Sequence, residues 1–270
     1  MKIWIVGPIA LDSVLFLDSS FTDSGYIHVR KKTERPGGQG LNVATGLKSA
    51  SLDVQLVGYL GNDSNAQKLL QVILALGLTS DYLARVDAPS PHIMVLVDSS
   101  GERKMVGLER SFYETVRLPL ENIKSGDIVI WTWWRKEFTE DFKVCKSIRA
   151  TTVVGLEALQ DSNIEADLFI GSEVELPKVE IPKDKKVIVT VGAKGAKFFD
   201  SGEISEIPAR AADVVDTTGA GDALLAGVVF GLAKGFDIKK SLNIGVNWSS
   251  ATISSESSLP AKWSEKYIIG

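Results

Sequence analysis

The chain has 270 residues, of which 44% are hydrophobic and 24% are charged, so it can form a sizeable core and disorder is not expected. Lys and Arg number 30 against 34 Asp and Glu. The resulting net charge of -4 argues against a nucleic-acid partner, because binding a phosphate backbone requires concentrated positive charge. A single cysteine and two histidines exclude a disulfide framework, a cysteine-based zinc site and a histidine-rich metal site.

The N-terminus carries no sign of export. Its apolar run, residues 3–7, is too short for the apolar region of a signal peptide. No stretch approaches the roughly 18 uninterrupted apolar residues that a membrane span requires. We therefore expect a cytoplasmic protein with no membrane partner.

Short apolar or β-branched segments alternate with segments of helical periodicity along the chain. The predicted strands are residues 3–7, 54–60, 127–131, 151–156, 167–170 and 187–191. The predicted helices are residues 41–50, 65–76, 140–149 and 223–233. This alternation predicts an α/β fold with a Rossmann-like, mostly parallel central sheet that is flanked by helices.

Two stretches interrupt the alternation, and each is expected to form a β-hairpin or an extended arm. In the first, residues 14–17 and 26–29 flank a turn-rich segment; in the second, residues 92–97 and 103–106 flank another. We expect the two stretches to form one small second sheet beside the main one.

The most informative segment is Asp216-Thr217-Thr218-Gly219-Ala220-Gly221-Asp222, directly before a predicted buried helix. Small residues at a helix start leave backbone N–H groups uncovered, and the helix dipole adds positive potential, so the segment predicts an anion site. Asp222 fits such a site if its carboxylate accepts a proton from an attacking hydroxyl while the N–H groups hold the developing negative charge. An ordinary Asp N-cap after a glycine turn explains the same local sequence equally well.

A second glycine turn, Pro36-Gly37-Gly38-Gln39-Gly40, also opens a predicted helix, which carries Asn42 in its first turn. Its glycines allow close approach to the backbone, and a structural loop is the alternative interpretation. No Walker-type motif is present, and no Gly-x-Gly-x-x-Gly follows a strand, which disfavours P-loop enzymes and simple dinucleotide dehydrogenases.

Together these segments resemble the signatures of the ribokinase-like sugar kinases, also called the phosphofructokinase-B family. The N-terminal signature matches residues 37–44 and 57–63, and the C-terminal signature matches residues 216–223. Residues 189–196 resemble the family's strand and turn beside the nucleotide. The resemblance implies one ribokinase-like domain over residues 1–270, with a small β-sheet lid formed by about 12–32 and 92–110. It also implies an ATP-dependent kinase that phosphorylates a hydroxyl of a small sugar.

The resemblance implies a role for each matching residue. Asp222 is expected to be the catalytic base, with Gly219, Ala220 and Gly221 as the anion hole. The residues expected to contact the substrate are Asp12, Gly38, Gln39 and Asn42. Those expected to lie along the nucleotide are Ser172, Thr190, Gly192 and Gly195. Glu175 is expected to organise Mg²⁺ through water, and Asp216 and Thr218 to hold a monovalent cation such as K⁺. Pairing of two lids implies a homodimer.

Two residues depart from the family pattern. Ser172 stands where Asn is expected, and since a serine can still hydrogen-bond a metal-bound water, we expect altered rather than absent activity. Gln39 stands where some members carry Lys, which weakens the case for a phosphorylated substrate.

Three alternatives stay open. A nucleoside kinase of the same family would use one of Trp131, Trp133 and Trp134 to stack on a base, although packing is the favoured role of these side chains. A phosphosugar kinase would need cations in the pocket, which Arg103 or Arg110 would supply. A sugar- or nucleotide-binding protein without catalysis is suggested by Ser172.

Overall fold

The computed structural model describes residues 1–23, 25–108, 113–176 and 180–269. The strands are β1 Ile3–Val6, β2 Ala10–Leu17, β3 Val29–Gly37, β4 Val54–Leu60, β5 Leu83–Arg85, β6 His92–Val97, β7 Arg103–Gly107, β8 Ile128–Trp131, β9 Thr151–Gly155, β10 Leu168–Ser172, β11 Val187–Thr190, β12 Ala196–Asp200 and β13 Glu203–Ile207. The helices are α1 Gln39–Ser49, α2 Ser64–Ala75, α3 Thr139–Ser147, α4 Ala220–Ala233, α5 Ile238–Thr252 and α6 Lys266–Ile269.

The main sheet contains nine of these strands in the order β13-β12-β11-β10-β9-β8-β1-β4-β5. All neighbouring pairs from β11 to β5 are parallel, and β12 and β13 complete one edge as antiparallel strands. The predicted α/β fold with a mostly parallel sheet is confirmed.

Both faces of the main sheet are buried, because successive side chains of a strand point to opposite faces and here both sets are apolar. In β1, Ile3 and Ile5 pack in the cluster that contains residues of α1, α2, α4 and α5. Trp4 and Val6 pack in a second cluster with Phe142 of α3. A run of consecutive apolar residues is therefore what a central strand of this sheet requires.

A second sheet of four strands, in the order β3-β2-β6-β7, is formed by two separated stretches of chain. We call it the small sheet. Strand β2 pairs antiparallel with β3 and parallel with β6, and β6 pairs antiparallel with β7. The expected second sheet from two insertions is confirmed.

One strand of the small sheet was wrongly placed by the sequence pattern. The pattern predicted a strand at 26–29, whereas β3 runs from Val29 to Gly37. Its sequence, VRKKTERPG, has no apolar alternation because the strand forms an exposed edge of the sheet. Charged residues are typical of such edges, since they discourage pairing with another chain.

Helices α4 and α5 pack closely because each presents a glycine to the other. A Cβ at Gly227 would lie 2.5 Å from the Cα of Gly245. This close approach places α4, and with it the residues at its first turn, tightly against the rest of the apolar cluster on that face. Among the residues that the structure describes, no helix is long and apolar enough to cross a membrane.

We expect Gly227→Ala to lower the free energy of unfolding by about 1–3 kcal/mol, because the added methyl group overpacks the contact between α4 and α5. Urea denaturation measures this change. Gly221→Ala in the same helix is the matched control, since its Cβ would meet nothing within 4 Å. An equal loss of stability in both variants would contradict the assignment of the loss to this contact.

Candidate active site

A cavity of about 420 Å³ lies between the carboxyl ends of the main-sheet strands and the small sheet. Open parallel sheets bind ligands at this edge, because loops and helix N-termini converge there. The main sheet contributes residues at or just after strand ends, namely Thr132, Glu157, Ser172 and Thr190. The small sheet contributes Asp12, Ile93 and Met105. We call this the first cavity.

Most of the site residues predicted from the sequence line the first cavity. They are Asp12, Gly38, Gln39, Asn42, Ser172, Glu175, Thr190, Thr218, Gly219, Gly221 and Asp222. The residues of the two glycine-rich segments are far apart in sequence and meet here because helices α1 and α4 begin side by side.

Helix α4 begins without a side-chain cap, after Gly219 in a left-handed conformation with φ of 79°. A Cβ at Gly219 would collide with the carbonyl of Ser258, so glycine is required there by both space and conformation. The Ala220 N–H donates to the Thr217 carbonyl at 3.3 Å. Within the described residues, the Gly221 N–H has no backbone partner, so it stays available to an anion.

The Asp222 carboxylate lies in the first turn of α4 and is held by Asn42 of α1, whose Nδ2 donates to Asp222 Oδ2 at 2.6 Å. Removal of this carboxylate from bulk water raises its pKa to about 7. The hydrogen bond from Asn42 lowers the pKa, while the negative charges of Glu175 and Asp12 raise it. A carboxyl group with a pKa near neutrality is suited to accept a proton in catalysis.

Asp12 lies on β2 opposite Arg35 of β3 and is only 8% exposed. Burial raises the pKa of Asp12 to about 6, although the positive charge of Arg35 lowers it. A Cβ at Gly37 would collide with the Asp12 carboxylate. Gly38 has φ of 92°, and its Cβ would lie 2.5 Å from the Pro8 carbonyl oxygen. The predicted glycine turn therefore makes room for Asp12 and for neighbouring backbone.

Glu175 is connected to both sides of the first cavity. One oxygen, Oε2, accepts from the Ser172 backbone N–H at 2.7 Å and from the Ser172 hydroxyl at 2.8 Å. The other accepts from Gln39 Nε2 at 3.3 Å. Ser172 therefore orients Glu175 directly and, unlike Thr190 beside it, lines only the first cavity.

Asp216 and Thr218 are bound by two arginines of the small sheet. Arg35 Nη1 donates to Asp216 Oδ2 at 2.9 Å, and Arg103 Nη1 donates to Asp216 Oδ1 at 2.6 Å. Thr218 Oγ1 lies 3.2 Å from Arg35 Nη2 and 2.8 Å from Arg103 Nη1. Burial alone would raise the pKa of Asp216, but the hydrogen bonds from Arg103, Thr218 and Arg35 outweigh it and hold the pKa far below its usual range.

A second cavity of about 390 Å³ adjoins the first. It is lined mainly by small and apolar residues of the 209–214 segment, α4 and α5, and it contains the predicted nucleotide residues Thr190, Gly192 and Gly195. Thr190 and Gly221 line both cavities. The two cavities therefore meet at the first turn of α4, beside Asp222.

Two polar residues of the first cavity have no signal in the sequence motifs, Thr132 after β8 and Glu157 after β9. Thr132 Oγ1 and Glu157 Oε2 are buried and have no hydrogen-bond partner among the described residues, and the same holds for Asn42 Oδ1. Burial and the charge of Glu175 raise the pKa of Glu157. In the sequence, only their position directly after predicted strands could have identified these two residues as site residues.

The tryptophans and the arginine considered for substrate binding make contacts elsewhere in the protein. Trp131 and Trp134 are buried in the core cluster that contains Phe142, and neither lines a cavity described above. Trp133 lies under the guanidinium of Arg135. Arg103 binds Asp216, and Arg110 lies outside the described residues.

Comparison with known proteins identifies the family of this chain. The model of the pfkB family carbohydrate kinases matches residues 2–132 and 170–264. Ribokinase of Bacillus subtilis is 24% identical over 274 residues, covering 94% of this chain and 93% of that protein. The chain belongs to the pfkB family of carbohydrate kinases.

Solved structures share the fold. Ribokinase of Thermotoga maritima superposes with a TM-score of 0.79 at 21% identity, over 100% of this chain and 98% of the other. A nucleoside kinase of Burkholderia thailandensis, solved with inosine, has a TM-score of 0.83 at 20% identity, over 99% of this chain and 95% of the other. Given its family, the protein is an ATP-dependent kinase that phosphorylates a hydroxyl group of a small sugar or sugar derivative.

The surroundings of Asp222 predict opposite shifts of the pH dependence in two variants. Asn42→Ala removes a hydrogen bond that lowers the pKa of Asp222, so the acidic limb of kcat/KM against pH should move to higher pH. Glu175→Gln removes a negative charge that raises this pKa, so the limb should move to lower pH. ADP release measured across the pH range tests both.

If Asp222 is the proton acceptor that its motif predicts, the rate of the wild-type protein should fall as the pH drops below about 7, because a protonated Asp222 cannot accept the proton. Ionisation of ATP is common to all three proteins and cancels in the comparison between them. Shifts of both variants in the same direction would contradict this account of the pKa.

Proposed function

We propose that Asp222 is the catalytic base of phosphoryl transfer from ATP to a sugar hydroxyl, with the acceptor in the first cavity and the nucleotide in the second. The meeting of the two cavities beside Asp222 is the observation that carries this proposal. An acceptor hydroxyl in the first cavity would lie next to the carboxylate. A phosphate chain leading out of the second cavity would end at the start of α4.

The proposed reaction is a direct in-line transfer without a covalent enzyme intermediate. Asp222 takes the proton of the acceptor hydroxyl while the hydroxyl oxygen forms a bond to the γ-phosphorus of ATP. The bond between the γ-phosphorus and the bridging β-phosphate oxygen breaks, which releases ADP. The N–H groups of Gly219, Ala220 and Gly221 are proposed to stabilise the negative charge on the transferring group. Among the residues described by the structure, the Gly221 N–H has no backbone partner and no side chain caps α4, and both observations support this role.

The nucleotide is proposed to lie along Thr190, Gly192 and Gly195 in the second cavity. The apolar lining of this cavity by residues of α4 and α5, including Leu224 and Val246, suits a purine base. Ser172 is proposed to act beside it indirectly, through its two hydrogen bonds to Glu175.

Glu175 is proposed to hold Mg²⁺ through water, together with phosphate oxygens of the nucleotide. Among the described residues, no group of three or more acidic, histidine or cysteine side chains could hold a metal ion unaided. This fits Mg²⁺, which commonly binds through one or two carboxylates together with substrate phosphates. When bound, Mg²⁺ would neutralise charge that develops on the transferring phosphoryl group.

A polyhydroxylated acceptor fits the polar groups of the first cavity. Asp12, Gly38, Gln39 and Asn42 are proposed to contact it, and Glu157 joins them as a residue that the motifs did not identify. Buried oxygens without partners cost about 1–3 kcal/mol each, and the hydroxyl groups of a sugar would satisfy those of Asn42, Thr132 and Glu157.

We propose that residues 1–270 form a single kinase domain in which the small sheet acts as a lid. Asp12, Ile93 and Met105 of this sheet already line the first cavity. A lid over the acceptor excludes water, which would otherwise hydrolyse ATP.

Among the alternatives, a nucleoside acceptor is supported by the fold that the chain shares with a nucleoside kinase. However, among the described residues no tryptophan lines the first cavity, where it could stack on a base. A phosphorylated acceptor loses support, because Arg103 is already paired with Asp216 and Gln39 carries no charge. A purely binding function is disfavoured by the placement of Asp222.

Asp222→Asn should lower kcat by about 10²–10⁴-fold while ATP binding persists, because the amide cannot accept the proton but keeps the shape of the side chain. The measurement is ADP release with Mg²⁺ and ATP against a panel of sugars, phosphosugars and nucleosides. Calorimetry gives ATP affinity for both proteins. Near-normal turnover in the variant would exclude Asp222 as the base. Binding of ATP and a sugar without ADP release would favour the binding-protein alternative.

Thermal stability is the folding control for this variant. The folded carboxyl has a pKa of about 7, above the unfolded value of about 3.9, so ionisation favours the unfolded chain as the pH rises between them. Asp222→Asn removes this penalty. Its Tm should equal or exceed that of the wild type at neutral pH, and the difference should shrink towards pH 4.

We also propose that two copies pair through their small sheets, and that the protein works in the cytoplasm, where ATP is abundant. Both edge strands of the small sheet, β3 and β7, carry exposed apolar side chains, including Val29 at 47% and Val106 at 44% exposure. Exposed apolar side chains favour association of the surfaces that carry them. The charges of β3 oppose direct pairing of the strand edges, so the proposed contact is made through these side chains.

Light scattering after gel filtration should give twice the chain mass of 29.2 kDa. The double variant Val29→Glu/Val106→Glu should elute as a monomer, because the charges would be buried in the interface. Ile204→Glu, at a residue 59% exposed on β13 of the main sheet, is the control and should stay dimeric. A monomeric wild type would exclude the proposed pairing.

A further inference from the structure

Two guanidinium groups from opposite edges of the small sheet bind one carboxylate just before the first turn of α4. Arg35 is on β3 and Arg103 is on β7, the two edge strands. Their Nη1 atoms lie 2.9 Å and 2.6 Å from the two oxygens of Asp216. Hydrogen bonds between charged groups are among the strongest in proteins, so this contact fixes the loop to the sheet. We call these three residues the arginine clamp.

The clamp is largely shielded from water. The side chains of Arg35, Arg103 and Asp216 are 16%, 30% and 11% exposed, respectively. Arg35 also donates to the backbone carbonyl of Glu256 at 3.2 Å, which ties in the loop after α5. Asp12 faces Arg35 from the neighbouring strand, so its charge also favours the guanidinium at this position.

The clamp extends to the start of the anion hole. Thr218 directly precedes Gly219, and its hydroxyl lies within hydrogen-bond distance of both guanidinium groups. The Thr218 backbone N–H donates to Asp216 Oδ1 at 2.8 Å. The side-chain contacts of the turn that opens α4 therefore depend on the position of the small sheet.

This arrangement does not fit the monovalent cation that the family resemblance implies at Asp216 and Thr218. An alkali cation needs several free oxygen ligands, whereas both oxygens of this carboxylate and the Thr218 hydroxyl already contact guanidinium nitrogens. A cation at that position would also be repelled by two positive charges a few ångströms away.

We propose that Arg35 and Arg103 replace the monovalent cation in this protein and act as positioning residues for the turn at Thr218 and Gly219. The replacement rests on the proposed role of this turn as the anion hole. The Asp216 backbone N–H is held by the Ile253 carbonyl at 3.2 Å. Since the positive charges belong to the small sheet, the side chains of Asp216 and Thr218 are held by the arginines only when that sheet lies over the first cavity. Turnover is therefore independent of K⁺ and dependent on both arginines.

The first test measures ADP release as K⁺ replaces tetramethylammonium at constant ionic strength. The wild type should change less than about twofold. The double variant Arg35→Gln/Arg103→Gln should lose at least about tenfold in kcat, since charge-assisted hydrogen bonds are lost. K⁺ should raise kcat of this variant, because the Asp216 oxygens become free. Arg30→Gln, on the exposed part of β3, is the matched control and should behave like the wild type.

The second test does not require a substrate. Amide hydrogen exchange should become at least about tenfold faster in β7 and in residues 216–219 of the double variant, and stay unchanged in Arg30→Gln. Stimulation of the wild type by K⁺ of about tenfold or more would overturn the replacement, and unchanged exchange in the double variant would overturn the clamp. If no acceptor in the panel supports ADP release, the proposed function fails, while the exchange measurement still decides the clamp.

Discussion

The site depends on one contact, the hydrogen bond from Asn42 to Asp222, which joins the first turns of α1 and α4. These residues are 180 positions apart in the chain, so they meet only because both helices pack in the same apolar cluster on one face of the main sheet. Small residues bring the helices together: a Cβ at Gly46 of α1 would lie 3.1 Å from the Cβ of Ala226 on α4. The helix N-termini, with their positive potential, then converge on one cavity.

This convergence brings together polar and acidic side chains whose burial lowers the stability of the fold. Asp12, Glu157, Glu175 and Asp222 share the first cavity, and the pKa values of three of them are raised by burial, with like charges adding to the effect for Glu157 and Asp222. Buried oxygens of Asn42, Thr132 and Glu157 also have no hydrogen-bond partner in the described part of the chain. Such an arrangement lowers stability, and it persists because the surrounding sheet and helices hold it in place. A bound ligand with many hydroxyl groups would remove much of this cost.

The sequence predicted the parts of the molecule that are encoded locally. Glycine turns before helices, the apolar central strands and the two segments around Asn42 and Asp222 all have a signature within about ten consecutive residues. Strand β3 was misplaced because edge strands carry charges instead of an apolar alternation. Strands β12 and β13 were missed because charged residues interrupt their short apolar patterns. Helix α5 was also missed, although its buried residues Leu242, Gly245 and Val246 follow a helical spacing. Thr132 and Glu157 have no local signature, because only the end of a strand places them in the cavity.

The arginine clamp shows why matching motifs do not determine the chemistry of a site. Asp216 and Thr218 match the family pattern, yet their surroundings are set by Arg35 and Arg103, which lie on two strands of another sheet and belong to no motif. A carboxylate beside the proposed anion hole would be stabilised by a nearby positive charge, which either a diffusible ion or a side chain can supply. A side chain differs in that it is attached to one element of the protein, here the small sheet. If the small sheet closes as the proposed lid, the charge that orders the turn before α4 arrives together with the exclusion of water, because both depend on the same sheet.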